Sequence, residues 1–289
     1  MNRPNAQYYI TSTSQEQQEM LEAIGLKKLD DLYSHIDDSL KFQNPISMPT
    51  SLTQEEIKKD LEMIASKNNV MTSFVADALA VGTTTPLIKK ICSIRGLTTA
   101  YTPYQPERSQ GTLQTLWLYQ SLIAELTGFE AINASLYDRA SAHFEALLTA
   151  LRLTTKKNQK VLLASSLFPQ DIAVIKTNCA QLNIDLVLVD IDKKDGTISK
   201  QALSSLNPDD YCAFIFPQIN QFGILEDVDF LTDFCYQNNL ISVASIDLAH
   251  ISSGCMKPPR EFGTNEVGVN MFIAEGQHLA LAPNFGGPG

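Results

Sequence analysis

Cysteine, tryptophan and histidine are scarce in this 289-residue chain, with five, one and four copies. The cysteines (Cys92, Cys179, Cys212, Cys235 and Cys255) are odd in number, widely spaced and nowhere arranged as CxxC. That argues against a disulfide framework and against a structural zinc site. Positive charge is also in short supply: 22 Lys+Arg stand against 32 Asp+Glu, a formal net charge of -10. Such a balance disfavours nucleic acid or anionic lipid as a partner. No apolar run approaches the roughly 18–20 residues of a membrane-spanning helix. The opening MNRPNAQYYITSTSQEQQEM lacks a charged-then-apolar signal, so a cytoplasmic location is the expectation. The GxSxG elbow, HExxH, the P-loop and a GxGxxG after the first strand are all missing, and Glu275-Gly276-Gln277-His278 does not have metal-ligand spacing. No metal site is expected.

What is present is an apolar fraction of 44%, enough for a sizeable core. Residues 1–70 read as a helical arm with too few apolar side chains for a core of their own. Thr13–Lys28 and Leu29–His35 have helical spacing, with Gly25 as a stop, and Thr53 with Glu56 is a capping-box signature for a helix through Ala65. Residues 71–289 form the main domain. From about residue 110 strands and helices alternate. The expected strands are Ala131–Ala134, Val161–Ser165, Asp185–Asp190, Cys212–Pro217, Ile241–Asp247 and Val269–Ala274. The helices between them are Ala140–Arg152, Pro169–Leu182, Lys200–Leu206 and Asp227–Asn238. This alternation, with continuous runs such as CAFIFP and LVLV, implies an α/β, doubly wound, mainly parallel sheet covered on both faces. The chain closes on the glycine-rich NFGGPG, where the expectation is an α/β domain stopping before a further C-terminal portion.

Ligands of open α/β sheets bind beyond the carboxyl ends of the strands, so the residues there are the candidates. Ser135 and Asp138 precede a helix start that would suit an anion, but they equally form a capping-box variant, and capping is favoured. Ile241–Ile246 delivers Asp247 to a strand end, either to hold a ring nitrogen or ribose or to be satisfied by loop amides. His250 follows it and reads more readily as structural than as catalytic. The loop Tyr101-Thr102-Pro103-Tyr104-Gln105-Pro106-Glu107-Arg108-Ser109-Gln110-Gly111 is rigid and hydroxyl-rich, ahead of a helix beginning near Gln110. It lines a pocket or is a packed surface turn, and composition does not choose.

The stretch AYTPYQPERSQGTLQTLWLYQSLIAELTGFEAINASLYD resembles the glycine dehydrogenase (decarboxylating) family, the P-protein of the glycine cleavage system, and within it the separate N-terminal subunits. MLEAIGLKKLDDLYSHI, KPPREFG, EGQ and FGGPG are similar to further family segments, so the resemblance runs from about Tyr9 to Gly289. It implies the large domain of the type I pyridoxal-phosphate transferases, with the family's C-terminal small domain absent. The implied reaction is decarboxylation of glycine, with transfer of the remaining aminomethyl group to the lipoylated H-protein. Pyridoxal phosphate serves as the electron sink there.

That chemistry needs a lysine for the Schiff base. Counting back from the glycine-rich turn, the resemblance puts its position at Gln277, whose amide is not nucleophilic. Lys257, ten residues beyond Asp247, is a poor substitute. No covalent pyridoxal phosphate is therefore expected on this chain. The cofactor would be held by a lysine-bearing subunit 2, to which Tyr101, Thr102, Tyr104, Gln105, Ser109 and Gln110 contribute across an interface, and the isolated chain would be inactive. The competing expectation is a catalytically silent relative that serves as a scaffold. The sequence departs from the family pattern at Arg139, where a small residue is usual, at Ser73–Ala80, where a glycine-rich stretch is usual, and around His250 and Ser252.

Overall fold

The computed structural model describes residues 12–42, 47, 49–69, 71–72, 85–157, 160–264 and 266–280. The chain divides into two units, Met1–Ser73 and Phe74–Gly289. The departure at Ser73–Ala80 and the closing NFGGPG lie outside the described residues.

In the first unit, two helices, α1 (Ser14–Ala23) and α2 (Gln54–Ala65), start in the same way. The Thr13 hydroxyl accepts the Glu16 amide at 3.2 Å while the Glu16 carboxylate takes the Thr13 amide at 2.7 Å. Thr53 and Glu56 repeat this arrangement, as the sequence predicts. α1 stops at Ala23 and does not reach Lys28, because Gly25 turns into the left-handed region at φ +78°. The predicted helix 29–35 is a short 3-10 turn, Leu29–Tyr33. Leu21 is the one buried apolar side chain among this unit's described residues, while Ile57, Leu61 and Ile64 form an exposed stripe on α2.

The second unit runs α3 (Pro86–Cys92), α4 (Gln110–Thr127), α5 (Arg139–Leu153), β1 (Lys160–Ala164), α6 (Pro169–Gln181), β2 (Leu186–Val189) and α7 (Lys200–Ser204). It continues β3 (Tyr211–Pro217), α8 (Val228–Gln237), β4 (Ile241–Asp247), α9 (Leu248–Ser252) and β5 (Met271–Glu275). The five strands are parallel in the order β2-β1-β3-β4-β5. All of β3 is buried, so side chains pointing to opposite faces are both covered, and the predicted doubly wound α/β architecture is the one found. Cys179, Cys212 and Cys235 belong to this core, whereas Cys92 and Cys255 are exposed; none is in a disulfide.

Two expectations about strands are corrected. Ala131–Ala134 is not a strand: it is irregular chain between α4 and α5, and the Ile132 carbonyl accepts from the Gln120 side chain at 2.5 Å instead of from a sheet neighbour. β5 begins at Met271, two residues later than predicted. The reason is that the Asn270 side chain stands in for a strand, accepting the Ser242 amide and hydroxyl at 2.9 Å each. Among the described residues, β5 is consequently an edge strand with one side open.

α4 is placed by close backbone approach. A Cβ at Gly111 would stand 1.7 Å from the Gly96 carbonyl oxygen, so only glycine admits the 3-10 turn Arg95–Leu97 against the helix. Thr112 and Thr115 complete the contact, the first donating to Ala100 O and the second to Leu97 O, both at 3.0 Å.

Candidate functional site

Strand order reverses at β1, and the crevice beyond β1 and β3 is where an open sheet ordinarily takes a ligand. Here the chain fills it. The buried Glu226 carboxylate accepts from Ser166 Oγ (2.8 Å), Asn220 Nδ2 (2.9 Å) and the Ile198 amide (2.8 Å). Gln221 Nε2 closes over the top, donating to Ser165 O at 3.1 Å.

The titratable groups gather one and two strands further along. Parallel register makes Asp247 and Glu275 partners at the ends of β4 and β5. Asp247 caps α9 by accepting the Ala249 amide at 2.8 Å. His278, in the turn Gln277–Leu279, places Nε2 3.0 Å from Asp247 Oδ1, and His250 places Nδ1 3.3 Å from Oδ2. Burial alone would raise the Asp247 pKa, but the His278 hydrogen bond, the Ala249 amide and the two imidazoles together hold it well below the usual carboxylate range. The same hydrogen bond, with the charges of Asp247 and Glu275, outweighs burial and lifts His278 above an ordinary histidine. Tyr119, reaching in from α4, has its pKa raised by burial and by Glu275.

Beside this cluster a cleft of about 330 Å³ runs along the open side of β5. Tyr119, Ser135, Asp138, Arg139, Glu275 and Gly276 are among its lining residues. α5 opens on Asp138, which accepts the Ser141 amide at 2.6 Å. Capping is therefore what the helix start does. The predicted pairing of Ser135 with Asp138 is corrected: Asp138 itself is the cap, and Ser135 lies outside the helix, its hydroxyl 3.3 Å from Leu136 O. Arg139 turns away to a nearly buried ion pair with Asp171 at 2.7 Å, its guanidinium 4.5 Å from the centroid of the Phe168 ring.

The remaining predicted residues are dispersed. Tyr101 and Tyr104 project into solvent, Tyr104 at 87% exposure. Thr102 and Gln105 are also exposed, the Thr102 carbonyl accepting the Tyr104 amide at 2.9 Å. Ser109 is buried, and Gln110 Nε2 donates to Pro106 O at 2.6 Å. The loop is thus a hydrogen-bonded turn with both tyrosines outward. Gln277 is buried and its backbone N–H donates to Glu275 Oε1 at 3.2 Å. Lys257 pairs with Asp229 beneath the Phe262 ring, and so its amine is committed to the α8 side. The pairing of His278 with Asp247 and that of Arg139 with Asp171 are candidate-site features the sequence did not reveal. Their partners lie 31 and 32 residues away, and no local pattern announces them.

Among the described residues no grouping of His, Cys, Asp and Glu suits a metal ion, and no helix is long and apolar enough to cross a membrane. Comparison with known proteins gives consistent matches. The glycine cleavage system P-protein family profile matches residues 7–289. A Legionella pneumophila protein named "Probable glycine dehydrogenase (decarboxylating) subunit 1" is 36% identical over 281 residues, 97% of this chain and 61% of that protein. One of the same name from Methylococcus capsulatus is 36% identical over 282 residues, with the same coverage. The crystal structure of glycine decarboxylase (P-protein) of the glycine cleavage system, in inhibitor-bound form, superposes with a TM-score of 0.80 at 30% identity, again over 97% of this chain and 61% of that one. The chain thus spans about three fifths of the length of the relatives it matches. Its fold is that of the type I pyridoxal-phosphate-dependent enzymes.

Proposed function

The chain belongs to the glycine cleavage system P-protein family, and from that premise we propose that it acts as subunit 1 of glycine dehydrogenase (decarboxylating) in the cytoplasm. In this proposal it works beside a subunit 2 that carries the cofactor lysine. The pair decarboxylates glycine and passes the aminomethyl group to the lipoylated H-protein, and pyridoxal phosphate on the partner supplies the electron sink. The observation that supports the division of labour is a strand-end carboxylate, Asp247, that pairs with no lysine among the described residues. Gln277, which the resemblance sets at the lysine position, is buried, and Lys257 is tied to Asp229.

The residues present do not fit a covalently held pyridoxal phosphate. Besides the missing amine, both Asp247 oxygens face imidazoles, and the Asp138 carboxylate already takes an amide at the start of α5, where a phosphate would otherwise be received. No step of the reaction is therefore assigned to a cofactor on this chain. Its own contribution is structural and interfacial. The outward Tyr101 and Tyr104, with Thr102 and Gln105, form the turn ahead of α4 that is offered to the partner's pocket, while Ser109 lies buried behind it and Gln110 opens the helix.

The test is co-expression with a matching subunit 2 and a glycine–bicarbonate exchange assay. Exchange is expected from the pair and not from this chain alone. In the reconstituted pair, Tyr104→Ala or Gln105→Ala should lower turnover by roughly tenfold or more, the scale on which misplaced positioning groups act. Unchanged turnover in both variants would remove the loop from the proposal, and exchange by the isolated chain would reject the division of labour.

A further inference from the structure

The two imidazoles on Asp247 are not equivalent. His250 stands about half exposed on α9, whereas the His278 side chain is 7% exposed and is held at the end of β4 by the turn that follows β5. Among the described residues, the titratable groups facing it belong to the strand-end cluster: Asp247 from β4, His250 across that carboxylate from α9, and Glu275 from β5, with Tyr119 of α4 beyond Glu275. His278 Nε2 points at Asp247 Oδ1, the oxygen that also takes the Ala249 amide. In pyridoxal-phosphate enzymes a carboxylate in such a place pairs with the ring nitrogen of the cofactor. An imidazole N–H and a pyridinium N–H are donors of the same kind, flat, aromatic and able to carry positive charge. One oxygen, already holding a backbone amide, does not accommodate both.

We infer that His278 is a built-in counter-ion for Asp247, seated where a phosphorylated pyridine would put its ring nitrogen, and that it closes this chain's own strand-end pocket to such ligands. The inference rests on the proposal that the cofactor belongs to the partner, and it adds a second, separate barrier. Without an amine a pyridoxal phosphate could still lodge non-covalently; with His278 in place the carboxylate that would hold it is already occupied. The electrostatics agree in direction, since the hydrogen bond raises the imidazole and lowers the carboxyl.

The test uses the full chain and pyridoxine 5′-phosphate, whose alcohol forms no imine, so that binding reports the pocket and not lysine chemistry. Calorimetry on the unmodified chain should show no saturable binding up to millimolar ligand. His278→Ala should bind roughly tenfold or more tighter, and adding Asp247→Asn should abolish that gain. Micromolar binding by the unmodified chain, or a His278→Ala variant no better than it, overturns the inference. Should the variants fail to fold, nitrogen-detected NMR of the histidine rings in the unmodified chain decides. His278 should titrate above an ordinary histidine with a hydrogen-bonded Nε2 signal, and a His278 that titrates as a free imidazole overturns the inference. Failure of glycine exchange in the reconstituted pair would count against the proposed function instead, since neither measurement here depends on turnover.

Discussion

His143 lies fully buried on α5, its Nδ1 2.8 Å from the Arg139 carbonyl and its Nε2 without a hydrogen-bond partner among the described residues. Burial pushes its pKa down from 6.5 to about 4, against the pull of nearby Asp171. The unfolded chain therefore binds this proton first as the solution is acidified, and stability falls from about pH 6.5 down through about pH 4. At pH 4.5 the loss amounts to about 2–3 kcal/mol on the scale of 1.4 kcal/mol per unit. Urea unfolding at pH 7 and pH 4.5 checks this: His143→Phe, which carries no proton, should lose less stability between the two by about that amount. The Asp247–His278 pair behaves differently at its two ends. The lowered carboxyl gives stabilisation that is lost in acid, and the raised imidazole gives stabilisation that is lost as pH climbs past its folded pKa.

Packing of α4 against the turn Arg95–Leu97 depends on the missing side chain at Gly111. Gly111→Ala should cost about 1–3 kcal/mol as an overpacking change. Hydrogen exchange should place the loosening in residues 96–115 and leave the sheet protected. Elements whose signals are local were legible in advance. β3 was visible as the unbroken apolar run CAFIFP because both its faces are buried, and the boundaries of β4 and the start of α4 agree with expectation. Where a side chain substitutes for a strand partner, the pattern misled. Gln120 takes the Ile132 carbonyl and Asn270 takes the Ser242 amide, so apolar stretches at 131–134 and 269–270 never enter the ladder. The candidate site was half legible for the same reason. Asp247 could be placed because a strand carries it to an edge. His278 could not, because what makes it notable is a carboxylate 31 residues away.

Over the whole molecule, family membership and fold were readable from the Tyr101–Gly111 run and the alternation of elements, while the distribution of exposure was not. Nothing in the spacing of the five cysteines separates the three that the core encloses from the two left in water. Burial raises the thiol pKa of Cys179 to about 11 and pushes Cys235 higher still, and Cys212 is raised for the same reason. A chromogenic thiol reagent at neutral pH should accordingly count two sulfhydryls at once, Cys92 and Cys255, and five in denaturant. More than two fast equivalents would contradict the burial. The slow three then become a clock written into the chain, since each waits for the core around it to open, Cys179 on the buried face of α6, Cys235 on that of α8 and Cys212 within β3. Their rate of capture by that reagent times spontaneous opening, with no label engineered into the chain.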